Sequence, residues 1–84
     1  MKVGYENVHF EEIKSSHHTT LIFKCRNYNN GFLGEVRWSY QWRQYCFNPQ
    51  ADYVLPRDYL DDIRDFLQQL VDDRANVYAR GAAL

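Results

Sequence analysis

The chain has 84 residues, which is enough for one domain with a single hydrophobic core. Its formal net charge is −1, so the whole chain has no general attraction to nucleic acid or to an anionic membrane. The charges are unevenly divided: residues 1–50 carry six Lys and Arg against four Glu, and residues 51–84 carry four Arg against seven Asp. Composition therefore predicts a mildly basic first part and an acidic second part, a difference too small to name a partner.

The cysteines and the apolar residues indicate a cellular compartment. Cys25 and Cys46 are the two cysteines, and they do not form a C-x-x-C motif. The opening residues contain no apolar segment of the kind found in signal peptides, and no run of roughly 18 apolar residues could span a bilayer. The sequence therefore predicts a cytoplasmic protein with reduced thiols.

Residues 1–19 give a weak pattern and are predicted to be a poorly defined N-terminal segment. Within it, Val8 and Phe10 alternate with polar residues, which favours an edge strand with these two side chains turned inward. The polar run 14–20 is predicted to be a loop.

A β-meander is predicted over residues 20–49. In its first strand Leu21, Phe23 and Cys25 alternate with residues assigned to the other face, which are Ile22, Lys24, Arg26 and Tyr28. The Asn-Asn-Gly sequence that follows is typical of a hairpin turn, and it allows two registers between the first and second strands of the meander. A type I′ turn at Asn30-Gly31 puts Phe23 opposite Trp38, Cys25 opposite Val36 and Arg26 opposite Glu35, and a turn at Asn29-Asn30 keeps the same faces but puts Lys24 opposite Glu35.

The stretch from Gly34 to Pro49 predicts the next two strands and the centre of the core. Val36, Trp38 and Tyr40 share one side of the first, and Tyr45 and Phe47 face them from the second. The chain must reverse within 39–43, where a type I turn centred on Gln41-Trp42 is feasible although no Gly, Pro, Asn or Asp is present. Trp42 then either stands exposed at the tip or folds back over the end of the core.

A helix is predicted over residues 56–74. Pro56 suits a first helical turn, and an apolar stripe recurs at three- and four-residue spacing. The stripe consists of Leu60, Ile63, Phe66, Leu67 and Leu70. The pattern weakens after Arg74, so 79–84 is predicted to be a frayed tail. The resulting fold class is α+β, a three- or four-stranded antiparallel meander with one long C-terminal helix packed on one face.

Two motifs carry a resemblance. The run L-G-E-V-R-W-S-Y-Q-W-R-Q-Y-C-F-N-P at Leu33 to Pro49 is followed by L-D-D-I-R-D-F-L at Leu60 to Leu67. Together they resemble small uncharacterised proteins encoded by bacteria, phages and prophages, in which a Gly-Glu strand, a W-R-Q-Y-x-F-x-P segment and an L-x-x-I-x-x-F-L helix occur in this order. The resemblance covers about the central half of the chain. It implies a bacterial or phage origin and no catalytic residue.

No residue pattern points to catalysis, a metal or a cofactor. Asp61, Asp62 and Asp65 match a diphosphate-binding D-D-x-x-D only superficially, and the pattern is typical of a solvated helix start. The three histidines and two cysteines lack zinc-site spacing. Cys25 is predicted to be a small buried hydrophobe. A disulfide bridge to Cys46 is not expected, because the alternation directs the two side chains to opposite faces of the sheet. A Cys46 nucleophile would need a histidine beside it, and His9 could approach Cys46 only if the N-terminal strand lay next to the third strand of the meander. The sequence therefore predicts a protein that is not an enzyme.

The sequence places candidate binding residues on the uncovered sheet face and at the turn after Ser39. These residues are Lys24, Arg26, Tyr28, Arg37, Tyr40, Trp42 and Arg43. Arg, Tyr and Trp dominate protein interfaces, so the leading interpretation is a protein-binding module, one version being an inhibitor of a host or defence complex. The alternative is a single-stranded nucleic-acid binder using Lys24, Arg26, Arg37 and Trp42. The open sheet face or an edge strand could also pair in a homodimer.

Overall fold

The structure, a computed structural model, describes residues 1–14 and 20–82, with side chains described as far as Asp73. These residues form one antiparallel sheet in the order β1-β2-β3-β4 and one helix, which confirms the predicted α+β fold. The elements are β1 (Val8–Glu12), β2 (Ile22–Asn27), β3 (Phe32–Ser39), β4 (Gln44–Pro49) and α1 (Arg57–Ala82). In the part of the chain described, no helix has the length and apolar character needed to cross a membrane.

The core lies between the sheet and α1. Its buried members are Val8, Phe10, Phe23, Cys25, Leu33, Val36, Ile63, Phe66 and Leu70. The predicted inward positions of Val8, Phe10 and Cys25 and the predicted helix stripe are confirmed, except for Leu60, which is 49% exposed. Leu60 and Phe66 are separated by about 120° around the helix axis, so both cannot face the sheet.

The centre of the core is displaced from the predicted position. Phe66 packs between β1 and β2, with the ring of Phe23 edge-on to it at a centroid distance of 4.9 Å. Trp38, Tyr45 and Phe47, predicted to form the centre, are only partly buried. The rings that pack against Phe66 belong to Phe10 of β1 and Phe23 of β2, so the centre of the core lies nearer the β1 end of the strand order.

The β2–β3 register matches one of the two predicted alternatives. Lys24 lies opposite Glu35 and Phe23 opposite Val36, so the alternative with Phe23 opposite Trp38 is wrong. The predicted type I′ turn is also wrong. The N–H of Asn30 donates to the carbonyl of Asn27 at 3.0 Å, and Asn30 then takes a left-handed conformation with φ 63°.

The observed turn is therefore centred on Tyr28 and Asn29, and it is a type I turn followed by one left-handed residue, the usual three-residue hairpin loop. The side chain of Asn27 stabilises it, because its Oδ1 accepts from the N–H of Gly31 at 2.8 Å and from that of Asn29 at 3.1 Å.

A bulge in β3 changes which side chains reach the core. Cys25 lies opposite Gly34 and Arg26 opposite Phe32, which leaves Leu33 as the extra residue. Gly34 has φ 150°, and this conformation turns Leu33 into the core although simple alternation would direct it outward.

Two residues predicted to face the core, Tyr40 and Leu21, are not buried in it. Tyr40 is 78% exposed, because β3 ends at Ser39 and the chain leaves the plane of the sheet there. Leu21 precedes β2 and is exposed, whereas Ile22, predicted to face outward, is buried. Ile22 lies in an inner strand with a neighbour on each side: the N–H of Ile13 donates to its carbonyl, and Arg37 is its partner in β3. The facing pair Trp38 and Tyr45 is confirmed.

The N-terminal residues are fixed by the helix and by β1. The N–H of Lys2 donates to Oε1 of Gln69 at 2.7 Å, and Nε2 of Gln69 donates to the carbonyl of Lys2 at 2.8 Å. The N–H of Asn7 donates to Oδ2 of Asp62 at 2.9 Å. Residues 1–14 are thus better defined than the sequence predicts, and 15–19 lie outside the described residues.

The helix is longer than predicted, since α1 ends at Ala82 and not at 74. Residues 75 and 79 are alanines, the strongest helix former, and no proline follows, so the backbone hydrogen bonding continues. Of the predicted tail 79–84, residues 83 and 84 lie outside the described residues.

Candidate functional site

The connection between β3 and β4 carries Tyr40 and Trp42, which are the most exposed aromatic residues among the predicted binding residues. We call residues Tyr40 to Arg43 the aromatic turn. Trp42 is 64% exposed and does not fold back over the core. The N–H of Trp42 donates to Oγ of Ser39 at 3.3 Å, and Arg43 has φ 54°. The turn therefore has a defined backbone that holds a large ring in solvent.

The sheet face opposite α1, which we call the outer face, carries charges of both signs. The register puts Lys24 between Glu11 of β1 and Glu35 of β3. Glu35 also forms an ion pair with Arg37, whose Nε lies 2.8 Å from Oε1. Two of the predicted cationic binding residues, Lys24 and Arg37, therefore lie beside carboxylates, which reduces the positive potential that they present to a ligand.

The remaining two predicted residues lie at the other end of the sheet. The guanidinium of Arg26 lies over the ring of Phe32 at 5.7 Å, and its Nη1 donates to the carbonyl of Asn30 at 3.4 Å. The hydroxyl of Tyr28 donates to the carbonyl of Tyr5 at 2.5 Å. Both side chains thus have structural roles near the β2–β3 turn.

The structure divides the seven predicted residues into two groups. The aromatic turn and Arg37 lie near one end of β3, and Arg26 and Tyr28 lie near the other. Eight strand residues separate the two turns, a length of roughly 26 Å at the usual rise. Lys24 lies between the groups. A single small ligand could not contact both ends, whereas a protein surface could.

The arrangement required for a cysteine nucleophile is not formed in the part of the chain described. His9 lies on β1 and Cys46 on β4, the two opposite edges of the sheet. Both cysteines are free. Burial raises the pKa of the Cys25 thiol to about 12, with a smaller contribution from the charge of Asp62. This thiol stays protonated at neutral pH and is a poor nucleophile.

No group of three or more potential metal ligands occurs among the described residues. His17 and His18, two of the three histidines that lack zinc-site spacing in the sequence, lie outside the described residues.

The sequence did not predict an apolar groove at the end of the sheet nearest the aromatic turn. Its volume is about 400 Å³, and it is lined mainly by Met1, Leu21, Trp38, Tyr45 and Leu70. The hydroxyl of Tyr45 accepts from the N–H of Leu21 at 3.2 Å across it. In the sequence, the alternation directs both Leu21 and Trp38 to the inner face of the sheet, and Leu21 lies just before the first residue of β2.

Comparison with models of known protein families, with curated proteins and with solved structures finds no match for this chain.

Proposed function

We propose that the protein is a non-enzymatic module that binds another protein through the aromatic turn and the adjoining part of the outer face. The observation that carries the proposal is the exposure of Trp42 on a turn of defined backbone. Desolvating such a ring contributes a large part of the free energy of binding at an interface, and a rigid turn loses little conformational entropy on binding. Arg43 and Tyr40 on either side add the other two residue types that dominate interfaces.

The charges of the outer face support a protein partner over a single-stranded nucleic acid. Nucleic-acid binding depends on cations free to contact phosphates and to release counterions. Lys24 lies between two glutamates, and Arg37 is paired with Glu35. A surface of alternating sign instead suits a protein surface of complementary pattern, which gives specificity.

The setting of this proposal is a bacterial or phage protein that acts in the cytoplasm. The motif resemblance supports the origin, and two free thiols are typical of a reducing compartment. An inhibitor of a host or defence complex is a concrete version, since such an inhibitor needs an anchor residue and no catalytic group.

The test uses affinity capture from a bacterial host lysate, followed by direct binding to the purified partner. Trp42→Ala and Arg43→Ala should each weaken binding at least tenfold, about 1.4 kcal/mol or more. Tyr53→Ala is the matched control, because Tyr53 is a half-exposed aromatic residue outside the turn. A partner bound equally well by all three variants would refute the proposed site.

Measuring the binding of labelled oligonucleotides over a series of salt concentrations tests the nucleic-acid alternative. We expect no binding at low salt. Binding that falls steeply with salt and is lost in Lys24→Ala would favour nucleic acid as the ligand and contradict the proposal.

A further inference from the structure

The two edge strands of the sheet, β1 and β4, differ in how much of their backbone is covered by other residues. Residues 3–5 fold back along β1: the N–H of Phe10 donates to the carbonyl of Val3 at 2.8 Å, and that of Tyr5 to the carbonyl of Val8 at 2.9 Å. This segment therefore covers the start of the β1 edge. On the opposite side, β4 pairs with β3 and with no other strand of the described chain.

The free backbone groups of β4 follow from the hydrogen bond at its end. The N–H of Gln50 donates to the carbonyl of Leu33 at 2.9 Å, so this residue points its backbone groups toward β3. Because the direction alternates along an antiparallel strand, Tyr45 and Phe47 point their N–H and C=O groups away from the sheet. These groups are available to another strand.

The side chains of β4 give little protection against such pairing. From Gln44 to Ala51 the chain carries no charged residue. Natural edge strands are usually protected from pairing by lysines, other charges, prolines or bulges, and here the protection is limited to Pro49 at the end of the strand. Two copies of this strand could pair antiparallel without bringing like charges together.

An exposed apolar flank of α1 lies on the same side of the molecule. Asp62 and Gln69 lie on the flank that bonds to the N-terminal residues beside β1. Leu60, Leu67 and Val71 lie on the other side of the buried stripe, which is the side of β4. Leu60 is 49% and Val71 50% exposed. The free edge and this apolar flank form one continuous surface of two layers.

We propose that this surface binds a second copy of the chain, with β4 pairing antiparallel to the partner's β4. The twofold axis then runs perpendicular to the sheet, so both helices lie on the same face of a continuous eight-stranded sheet. Their flanks face each other across the axis. A self-complementary surface of this kind is what an isologous dimer requires.

The size of the surface agrees with a reversible dimer. A strand of six residues is roughly 20 Å long, and the sheet and helix layers lie about 10 Å apart. A contact of these dimensions buries on the order of 1,000 Å² in total, near the lower limit for stable interfaces. The outer face and the aromatic turn of each copy stay accessible, so the dimer does not depend on the function proposed above and would present two binding sites.

Sedimentation velocity over a concentration series, from micromolar to about millimolar, measures the dimer directly. We expect a concentration-dependent dimer whose dissociation constant rises at least tenfold in Leu60→Glu and in Val71→Glu. Val3→Glu is the matched control, since Val3 is 42% exposed and lies at the β1 edge. This change should leave the dissociation constant unaltered, and circular dichroism verifies that each variant is folded.

Hydrogen exchange identifies the edge that pairs. The amides of Tyr45 and Phe47 should exchange more slowly as the protein concentration rises, in proportion to the fraction of dimer. A chain that is monomeric at every concentration would overturn the proposal. So would a dimer that leaves both amides unprotected or that responds equally to Val71→Glu and Val3→Glu.

Discussion

The ring of Phe66 lies flat on the ring of Phe10, with centroids 3.8 Å apart and planes 4° from parallel. Both rings are almost completely buried. This stack joins the middle of α1 to the edge strand β1, and Tyr5 closes it from the N-terminal side with its ring edge-on to both. The contact therefore connects elements that are distant in sequence, and the N-terminal residues are part of the same core.

Truncation of this stack should remove much of the stability of the domain. Phe66→Ala leaves a cavity among Phe10 and Phe23, and such a change costs about 3–5 kcal/mol. Tyr53→Ala, the same kind of truncation at a half-exposed ring, should cost less than about 1 kcal/mol. Urea unfolding followed by circular dichroism measures both free energies. Equal losses in the two variants would show that Phe66 is not at the centre of the core.

Replacement of Gly34 should be harmful, because this buried residue has a backbone conformation that favours glycine. Its φ of 150° is a conformation that other residues rarely adopt. A Cβ there would also meet the backbone carbonyl of Asn48 and lie 2.8 Å from the ring of Phe47. Gly34→Ala should therefore lower the free energy of unfolding by at least about 2 kcal/mol.

Gly4→Ala is the control for that substitution. A Cβ at Gly4 would have the hydroxyl of Tyr28 as its nearest neighbour, at an ordinary 3.6 Å. Its effect on the free energy of unfolding should be within about 0.5 kcal/mol. If Gly34→Ala were equally mild, the bulge that turns Leu33 inward would not require glycine.

The parts of the fold that follow from periodicity could be predicted from the sequence. Val36 and Trp38 at a spacing of two, and Ile63, Phe66 and Leu70 at spacings of three and four, must each lie on one face if they are to leave water. Burial of a single face thus determines the sheet, the helix and their packing. The pairing of Trp38 with Tyr45 followed from the same alternation.

The parts that depend on local backbone conformation could not be predicted. The two β2–β3 registers differ by two residues and keep the same faces, so the hydrophobic pattern cannot separate them. The choice depends on the hydrogen bonds made by the Asn27 side chain and on the bulge at Gly34, neither of which has a periodic signal. The position of Leu33 in the core is a consequence of that bulge.

The candidate site was predictable only in its local part. The strand pattern on either side places Trp42 in the turn, whereas the sequence left open whether its ring is exposed or folds back over the core. The reduced positive charge of the outer face depends instead on the position of Glu11, which requires the register of β1 against Lys24. Because the β1 signal in the sequence is weak, this carboxylate could not be assigned to the face in advance.

The two cysteines should react differently with thiol reagents. Cys25 is fully buried, and its raised pKa keeps it protonated near neutral pH. Cys46 is partly exposed on the outer face. Iodoacetamide at pH 7.5 should therefore label Cys46 in the folded protein and both residues in urea. Mass spectrometry of the peptides measures this, and rapid labelling of Cys25 in the native state would be inconsistent with the core described above.

The same thiol should make the protein less stable in alkali. The folded pKa of about 12 lies above the ordinary value of 9.0, so the unfolded chain loses its proton first as the pH rises. The free energy of unfolding should therefore be insensitive to this group below pH 9 and fall by about 1 kcal/mol per pH unit between 9 and 12. The pKa of Tyr5 is also raised, by burial and by the charges of Asp65 and Asp62, and acts in the same direction.

Comparison with Cys25→Val isolates the contribution of the thiol, since this variant retains Tyr5. Its free energy of unfolding should fall less steeply with pH above 9 than that of the wild type. Identical slopes in the two proteins would mean that the thiol is solvated in the folded state.

The two tryptophans should be distinguishable by fluorescence. Trp42 is exposed, whereas Trp38 is partly buried with its ring edge-on to that of Tyr45 at 5.3 Å. The emission of Trp38→Phe, which reports on Trp42, should be red-shifted and strongly quenched by iodide. Trp42→Ala should leave a blue-shifted, weakly quenched signal and change the free energy of unfolding by less than about 0.5 kcal/mol.

Addition of a protein partner should then protect Trp42 from iodide while the quenching of Trp38 stays the same. This result requires that the ring is free before binding and covered after it, as expected of an interface anchor. A Trp42 that is already shielded in the isolated protein, or that destabilises the fold when removed, would belong to the core and could not act as the anchor.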